Sequence, residues 1–221
     1  MAHGSARNRL LVGTLAVVFT LHGAVGFTAS TSSAVSKPVF SDIAQIEYRA
    51  SIEFLASREL VQGYPDGTFQ PYKAVTRAEM VKMVISMTRD ESEIGNGTNC
   101  FTDVKEQWFA KYVCFAKDKG YVQGYLSGKF FKPGGTMNMV EGLKIAFQIF
   151  EIPLEELEKN EQWYVPYMNF AHKNNIFSKY EYLPGSEMSR EKMAFLLHQL
   201  LLMKEGTKQF ADARDSRSLG C

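Results

Sequence analysis

Val61-Gln-Gly-Tyr-Pro-Asp-Gly-Thr-Phe-Gln-Pro71 decides how this chain is read, because its opening returns later in the sequence. Val61-Gln-Gly-Tyr64 recurs as Val122-Gln-Gly-Tyr125, an offset of 61 residues. The same offset carries Phe40-Ser-Asp42 to Phe101-Thr-Asp103. Gly67-Thr-Phe69 pairs with Gly128-Lys-Phe130, and Pro71 with Pro133 after one inserted residue. A fixed period marks a repeat architecture. A third, more worn copy follows: Trp108-Phe-Ala-Lys-Tyr112 corresponds to Trp163-Tyr-Val-Pro-Tyr167, and Phe115-Ala116 to Phe170-Ala171. Pro184 takes the part of Pro71 and Pro133, while the Phe-x-Asp opening and most of the glycine loop are lost.

Each copy reads as helix, loop, helix. Tyr48, Ile52, Leu55 and Ala56 have helical spacing in copy one. The loop Gly63–Phe69 has turn chemistry, since Pro presets φ and Asp-Gly favours a tight turn. The second helix carries Met80, Met83, Val84 and Met87 on one face. The same register gives Gly142, Ile145, Ala146 and Ile149 in copy two, and Met193, Leu196, Leu197 and Leu200 in copy three. One unit of this size buries little alone, so the copies are expected to pack together. The expected class is mainly α, three helix-loop-helix repeats at 40–90, 100–150 and 151–204 (the last degenerate), with linkers at 27–39 and 91–99 and a tail at 205–221.

Composition narrows the function classes. The 221 residues are 45% hydrophobic, enough for a core. Lys+Arg number 25 and Asp+Glu 24, a net +1, which argues against phosphate neutralisation and against a polybasic membrane surface. Four His and three Cys, scattered, make no zinc pattern. Arg7 and Arg9 precede an uncharged run from Leu10 to Ser36 with an apolar heart at Leu10–Phe19. That reads as a secretory signal over 1–26, cleaved after Gly26 or after Ala34. An uncleaved anchor is the rival, because the run is long enough to span a bilayer. Both readings place the remainder outside the cytoplasm.

Phe40-x-Asp42, Ile52-Glu-Phe-Leu-Ala56, Gly63-Tyr-Pro-Asp-Gly-Thr-Phe-Gln-Pro71 and Thr76-Arg-Ala-Glu79 together resemble the S-layer homology (SLH) domain. The resemblance extends over roughly 40–204. In copy two the last block reads Asn138-Met-Val-Glu141, and in copy three Ser189-Arg-Glu-Lys192. The resemblance implies three units about a pseudo-threefold axis. It also implies noncovalent attachment to cell-wall polysaccharide, often pyruvylated, through grooves between units. The Arg of the Thr-Arg-Ala-Glu block is a ligand contact in that family.

The candidate ligand-binding residues are Arg77, Arg190, Thr76, Glu79, Tyr64, Asp66, Trp108 and Trp163. Thr at N-cap with Glu at N3 is a capping box, so a structural role for Thr76 and Glu79 stands level with a binding one. Val75 and Met80 fit the flanking hydrophobic staple. Arg77 is different, because a capping box does not require Arg there. Copy three keeps it as Arg190 while losing the box Glu to Lys192, and copy two keeps Glu141 with Met139 in its place. A guanidinium beside free helix N–H groups suits an anion, such as a carboxylate ketal-linked to a sugar. A solvated or ion-paired surface Arg is the alternative. Tyr64, Tyr125, Trp108 and Trp163 are candidates for stacking on sugar faces, although the tryptophans serve equally well as core anchors. Asp42 and Asp103 are expected to cap the first helices. Asp66 is first a turn residue, without the acidic neighbours calcium needs.

An exported compartment permits a disulfide, and Cys100 with Cys114 is the expected pair. Cys221 is left over at the C-terminus, near Phe210-Ala-Asp212, an echo of the repeat opening. No Gly-x-Ser-x-Gly, His-Glu-x-x-His or phosphate loop is present. The expectation is a non-catalytic, exported cell-wall or envelope protein without cofactor or metal. Its expected partner is a cell-wall polysaccharide or peptidoglycan-linked glycan, not nucleic acid. The rivals are a self-associating surface-layer protein and a small wall hydrolase.

Overall fold

The computed structural model describes residues 39–177 and 183–206. The chain divides into two units, 1–36 and 37–221, and the described residues all belong to the second. The expected signal segment, Phe210-Ala-Asp212 and Cys221 lie outside the described residues. Seven helices run among those described, with isolated bridges and no strand: α1 (Arg49–Ser57), α2 (Arg77–Thr88), α3 (Glu91–Ile94), α4 (Ala110–Asp118), α5 (Met139–Ile149), α6 (Val165–Lys173) and α7 (Arg190–Lys204). The mainly α reading holds. The stretch read as the linker 91–99 carries α3, a four-residue helix with its own Asp90–Glu93 capping box.

Local chemistry sets the starts of the long helices. Thr76 Oγ1 accepts from the Glu79 N–H at 3.3 Å, and Glu79 Oε2 accepts from the Thr76 N–H at 2.8 Å. Asn138 and Glu141 form the same reciprocal pair at 3.0 and 3.1 Å. Ser189 keeps one half, accepting from the Lys192 N–H at 3.4 Å, since an ammonium has no lone pair to return. The first helical N–H groups still need acceptors. Those of α2 go to the carbonyls of Gly135 and Pro133, those of α5 to Ser186 and Pro184, and those of α7 to Lys73 and Pro71. Each helix therefore starts on the loop of another segment, and Pro184 does stand where Pro71 and Pro133 stand.

The helices also pair between segments. α2 packs on α4, α5 on α6, and α7 on α1, while α5 additionally contacts α2 and α7. Three backbone bonds close a ring at the centre. The Val75 N–H donates to Met188 C=O at 2.9 Å, Met188 N–H to Met137 C=O at 2.9 Å, and Met137 N–H to Val75 C=O at 3.2 Å. All three side chains are buried, so these polar groups had to be paired within the protein. The apolar faces read from the sequence line this interior: Met80, Val84, Ile149, Met193, Leu196, Leu197 and Leu200 are fully enclosed.

Two expectations change here. Asp42 does not cap α1. Its Oδ1 and Oδ2 accept from the N–H groups of Phe69 and Gln70, at 2.7 and 2.8 Å. Asp103 grips Phe131 and Lys132 in the same way, at 2.8 Å each. The reason is conformational: Gln70 and Lys132 have φ of 56° and 59°, a left-handed turn whose N–H groups face away from helical partners. The clamps also show that Phe69 is equivalent to Phe131, not to Phe130. The inserted residue of copy two lies ahead of the phenylalanine.

Candidate functional site

Two grooves on the second unit repeat one set of side chains. The first, about 310 Å³, is lined by Leu60, Val61, Gln62, Glu79, Lys82, Met83, Trp108 and Arg190. The second, about 200 Å³, is lined by Tyr121, Val122, Gln123, Glu141, Lys144, Ile145, Trp163 and Arg77, with Gly124, Tyr125 and Gln148 beside them. The eight residues of the first have eight counterparts in the second, position for position. Each groove draws on three segments of chain: a glycine loop with the helix that follows it, the tryptophan ahead of a neighbouring helix, and an arginine from another helix start.

Both arginines are at the first position of their helices, and both are buried, at 9% and 6% exposure for Arg77 and Arg190. That corrects the surface-arginine alternative. Arg77 Nε donates to the Phe131 carbonyl at 3.0 Å, and its guanidinium lies over the rings of Tyr125 and Phe131, 4.9 Å from each centroid. Arg190 Nε donates to the Phe69 carbonyl at 2.8 Å and Nη2 to the Gln62 carbonyl at 3.0 Å. Its guanidinium lies 4.5 Å from the Phe69 ring and 5.1 Å from Tyr64. Aromatic faces and backbone carbonyls hold each guanidinium in place while it keeps its full charge.

The tryptophans are not core anchors. Trp108 is 62% exposed and Trp163 44% exposed, each at a groove wall. Beside Trp108 the anchor is Phe109, which is buried and meets it edge-on at 5.2 Å; Trp163 meets the half-buried Tyr164 edge-on at 5.8 Å. The Lys144 ammonium sits 5.0 Å from the Trp163 ring.

Glu79 and Glu141 reach both cap and groove, so the two roles weighed from sequence meet in one side chain. Thr76 stays with the cap: its hydroxyl also donates to Glu79 at 2.8 Å, and it lines neither groove. Tyr64 packs against Arg190, and its hydroxyl accepts from Lys73 Nζ at 2.9 Å. Tyr125 lies in its own groove, where burial, followed by opposing effects of Arg77 and Glu141, raises the phenol pKa. Asp66 lines neither groove. Its carboxylate accepts from the Thr68 hydroxyl at 2.6 Å and the Thr68 N–H at 2.9 Å, and these bonds hold its pKa below the ordinary value.

Lys82 and Lys144 were missed from sequence. Their signal is register, since each lies three residues after a box glutamate. The matching position after Ser189 is Phe195, which stacks on Tyr48 at 4.3 Å and meets Phe177 at 5.7 Å. With Met139 fully buried at the arginine position, the third place holds an apolar cluster where the other two hold cations. Cys100 and Cys114 are disulfide-bonded, their Cα atoms 5.4 Å apart. Among the described residues no group of His, Cys, Asp or Glu is arranged for a metal, and no helix is long and apolar enough to cross a membrane.

Known proteins resemble stretches of this chain. The model of the S-layer homology domain matches residues 39–81 and 101–138. An exoglucanase XynX of Acetivibrio thermocellus is 33% identical over 60% of this chain and 12% of its own length. A cellulosome-anchoring protein of the same species is 30% identical over 62% of this chain and 31% of its own length. An S-layer protein sap of Bacillus anthracis is 23% identical over 69% of this chain and 18% of its own. The chain thus spans under a third of each of these relatives.

Proposed function

We propose that this chain, which carries S-layer homology segments at 39–81 and 101–138, attaches noncovalently to an anionic cell-wall polysaccharide through its two equivalent grooves. One observation carries the proposal: arginine, lysine and an exposed tryptophan recur together at matching positions in both grooves. A buried, fully charged guanidinium favours a carboxylate, and a ketal-linked pyruvyl group on a sugar offers one. The ammonium of Lys82 or Lys144 adds a second positive charge beside it. A flat indole wall suits the apolar face of a sugar ring, as amphipathic aromatic surfaces do. The sequence equivalences support a third, degenerate unit over 151–204 and an approximate threefold relation among the units. In this reading the protein is exported, resides at the cell envelope and is non-catalytic. The two grooves do the binding, because the third place has Met139 and Phe195 at the positions where they hold arginine and lysine.

The test is co-sedimentation with purified wall sacculi, native and stripped of acidic or pyruvyl groups. Retention is expected on native walls and should fall on stripped ones. The double change Lys82→Met with Lys144→Met should weaken retention by about 1.5–3 kcal/mol per charge-assisted bond lost. Equal retention on both wall preparations would exclude the anion site. Concentration-dependent assembly without wall material would favour a lattice protein instead.

A further inference from the structure

We infer that the Cys100–Cys114 disulfide positions Trp108, so that the first groove is held ready for its ligand while the second adjusts on binding. The inference rests on the proposed groove function and assigns the two grooves different behaviour.

Trp108 lies inside the loop that the disulfide closes, between two anchors. One anchor is the stretch 101–103, fastened by the Asp103 clamp and by the Thr102 N–H donating to the Lys129 carbonyl at 2.9 Å. The other is α4, where Cys114 is buried one turn into the helix. The covalent link holds Cys100, at the edge of the first anchor, 5.4 Å from Cys114 on the second (Cα to Cα), and so sets the gap that Trp108 spans. The indole itself is 62% exposed, so its own packing does little to set its place.

Trp163 has no such covalent frame and is placed by contacts of its own ring, with Tyr164 at 5.8 Å, Tyr167 at 6.1 Å and the Lys144 ammonium at 5.0 Å. Asn169 stands where Cys114 stands, and no Phe-x-Asp clamp precedes it. The backbone bonds around it are local turns, Glu161 N–H to Glu158 C=O and Val165 N–H to Gln162 C=O. Fixing a side chain before binding removes an ordering cost that a loose one must meet on binding. The disulfide is not the loop's sole attachment: Lys117 Nζ donates to the Cys100 carbonyl and sits 4.2 Å from the Phe101 ring. The reduced chain therefore keeps its contacts here, and reduction acts mainly on the spacing of the anchors.

The chain has two tryptophans, so each single replacement leaves one reporter. The experiment uses the full chain as Trp163→Ala and as Trp108→Ala, oxidised, reduced, and with Cys100→Ala plus Cys114→Ala. It reads tryptophan fluorescence anisotropy without wall, and affinity for native sacculi. In the Trp163→Ala protein, loss of the disulfide should lower the anisotropy of Trp108 and weaken binding about three- to tenfold. In the Trp108→Ala protein both readouts should be unchanged. Equal weakening in both proteins would make the disulfide a general brace and overturn the inference, as would unchanged anisotropy of Trp108. Failure of the oxidised parent chain to bind sacculi would remove the proposed function, and anisotropy alone would then decide whether the disulfide positions Trp108. Circular dichroism below the unfolding transition confirms that each form is folded.

Discussion

The Arg190 guanidinium donates from Nε to the Phe69 carbonyl at 2.8 Å, across 121 residues of sequence. Arg77 does the same with Phe131, the equivalent phenylalanine. An arginine at the first turn of a helix opposes the macrodipole, a cost that a binding role alone can offset. The geometry assigns it a second duty, joining one segment's helix to another segment's loop.

Arg77→Met should consequently cost stability as well as affinity. It strands the Phe131 carbonyl in a buried setting, worth about 1–3 kcal/mol. Thr76→Ala should cost about 1 kcal/mol through the lost cap. Lys144→Met, in the same groove as Arg77 but only half-buried, should stay within about 0.5 kcal/mol of the parent. Urea unfolding of the three variants orders them. An Arg77→Met protein as stable as the parent would mean the carbonyl bond contributes nothing.

The aspartate clamps are expected to carry much of the loop geometry. Asp103→Ala removes both bonds to Phe131 and Lys132 and should destabilise by about 1.5–3 kcal/mol. Asp103→Asn keeps one acceptor oxygen and should lose less. Because Phe131 is also the acceptor for Arg77, Asp103→Ala should weaken wall retention more than the distant Asp66→Ala. Chemical denaturation paired with co-sedimentation checks both parts.

Gly124→Ala should be among the most damaging small changes. Gly124 has φ of 75°, and a Cβ there would lie 2.6 Å from both a Phe101 ring carbon and the Phe130 carbonyl oxygen. The carbonyl is backbone and cannot swing aside, so a loss of about 1–3 kcal/mol is expected. Gly134→Ala, where the new Cβ meets nothing within 4 Å, is the control. Comparable melting temperatures for the two would contradict the close approach.

Acid should loosen the junction of α3 and α4 as pH falls below the ordinary glutamate value. Lys111 and Tyr112 donate to the Glu91 carboxylate at 2.6 and 2.9 Å and hold its pKa below the ordinary glutamate value. A depressed folded-state pKa adds stability above the unfolded value, and that stability is lost as pH falls through the folded one. Glu91→Gln should flatten this part of the acid dependence and leave stability at low pH unchanged. Unfolding curves of parent and variant from neutral pH downward measure it, and parallel curves would rule out the linkage. The effect is small, because the pair is exposed to solvent.

By itself the sequence determined the mainly α class, the starts of α2, α5 and α7 and the apolar faces of those helices. Those depend on interactions a few residues apart: Thr76 finds its partner in Glu79, and Met80 shares a face with Val84 and Met87. Only the tertiary structure decided that α2 pairs with α4 and α7 with α1, that Asp42 and Asp103 hold loops instead of helix ends, and that both tryptophans are exposed. It alone also brought Lys82 to Arg190 and Lys144 to Arg77. The physical reason is reach. A cap acts within one turn, while a buried backbone carbonyl such as that of Phe69 takes its donor from whatever chain packs against it, here a residue 121 positions away.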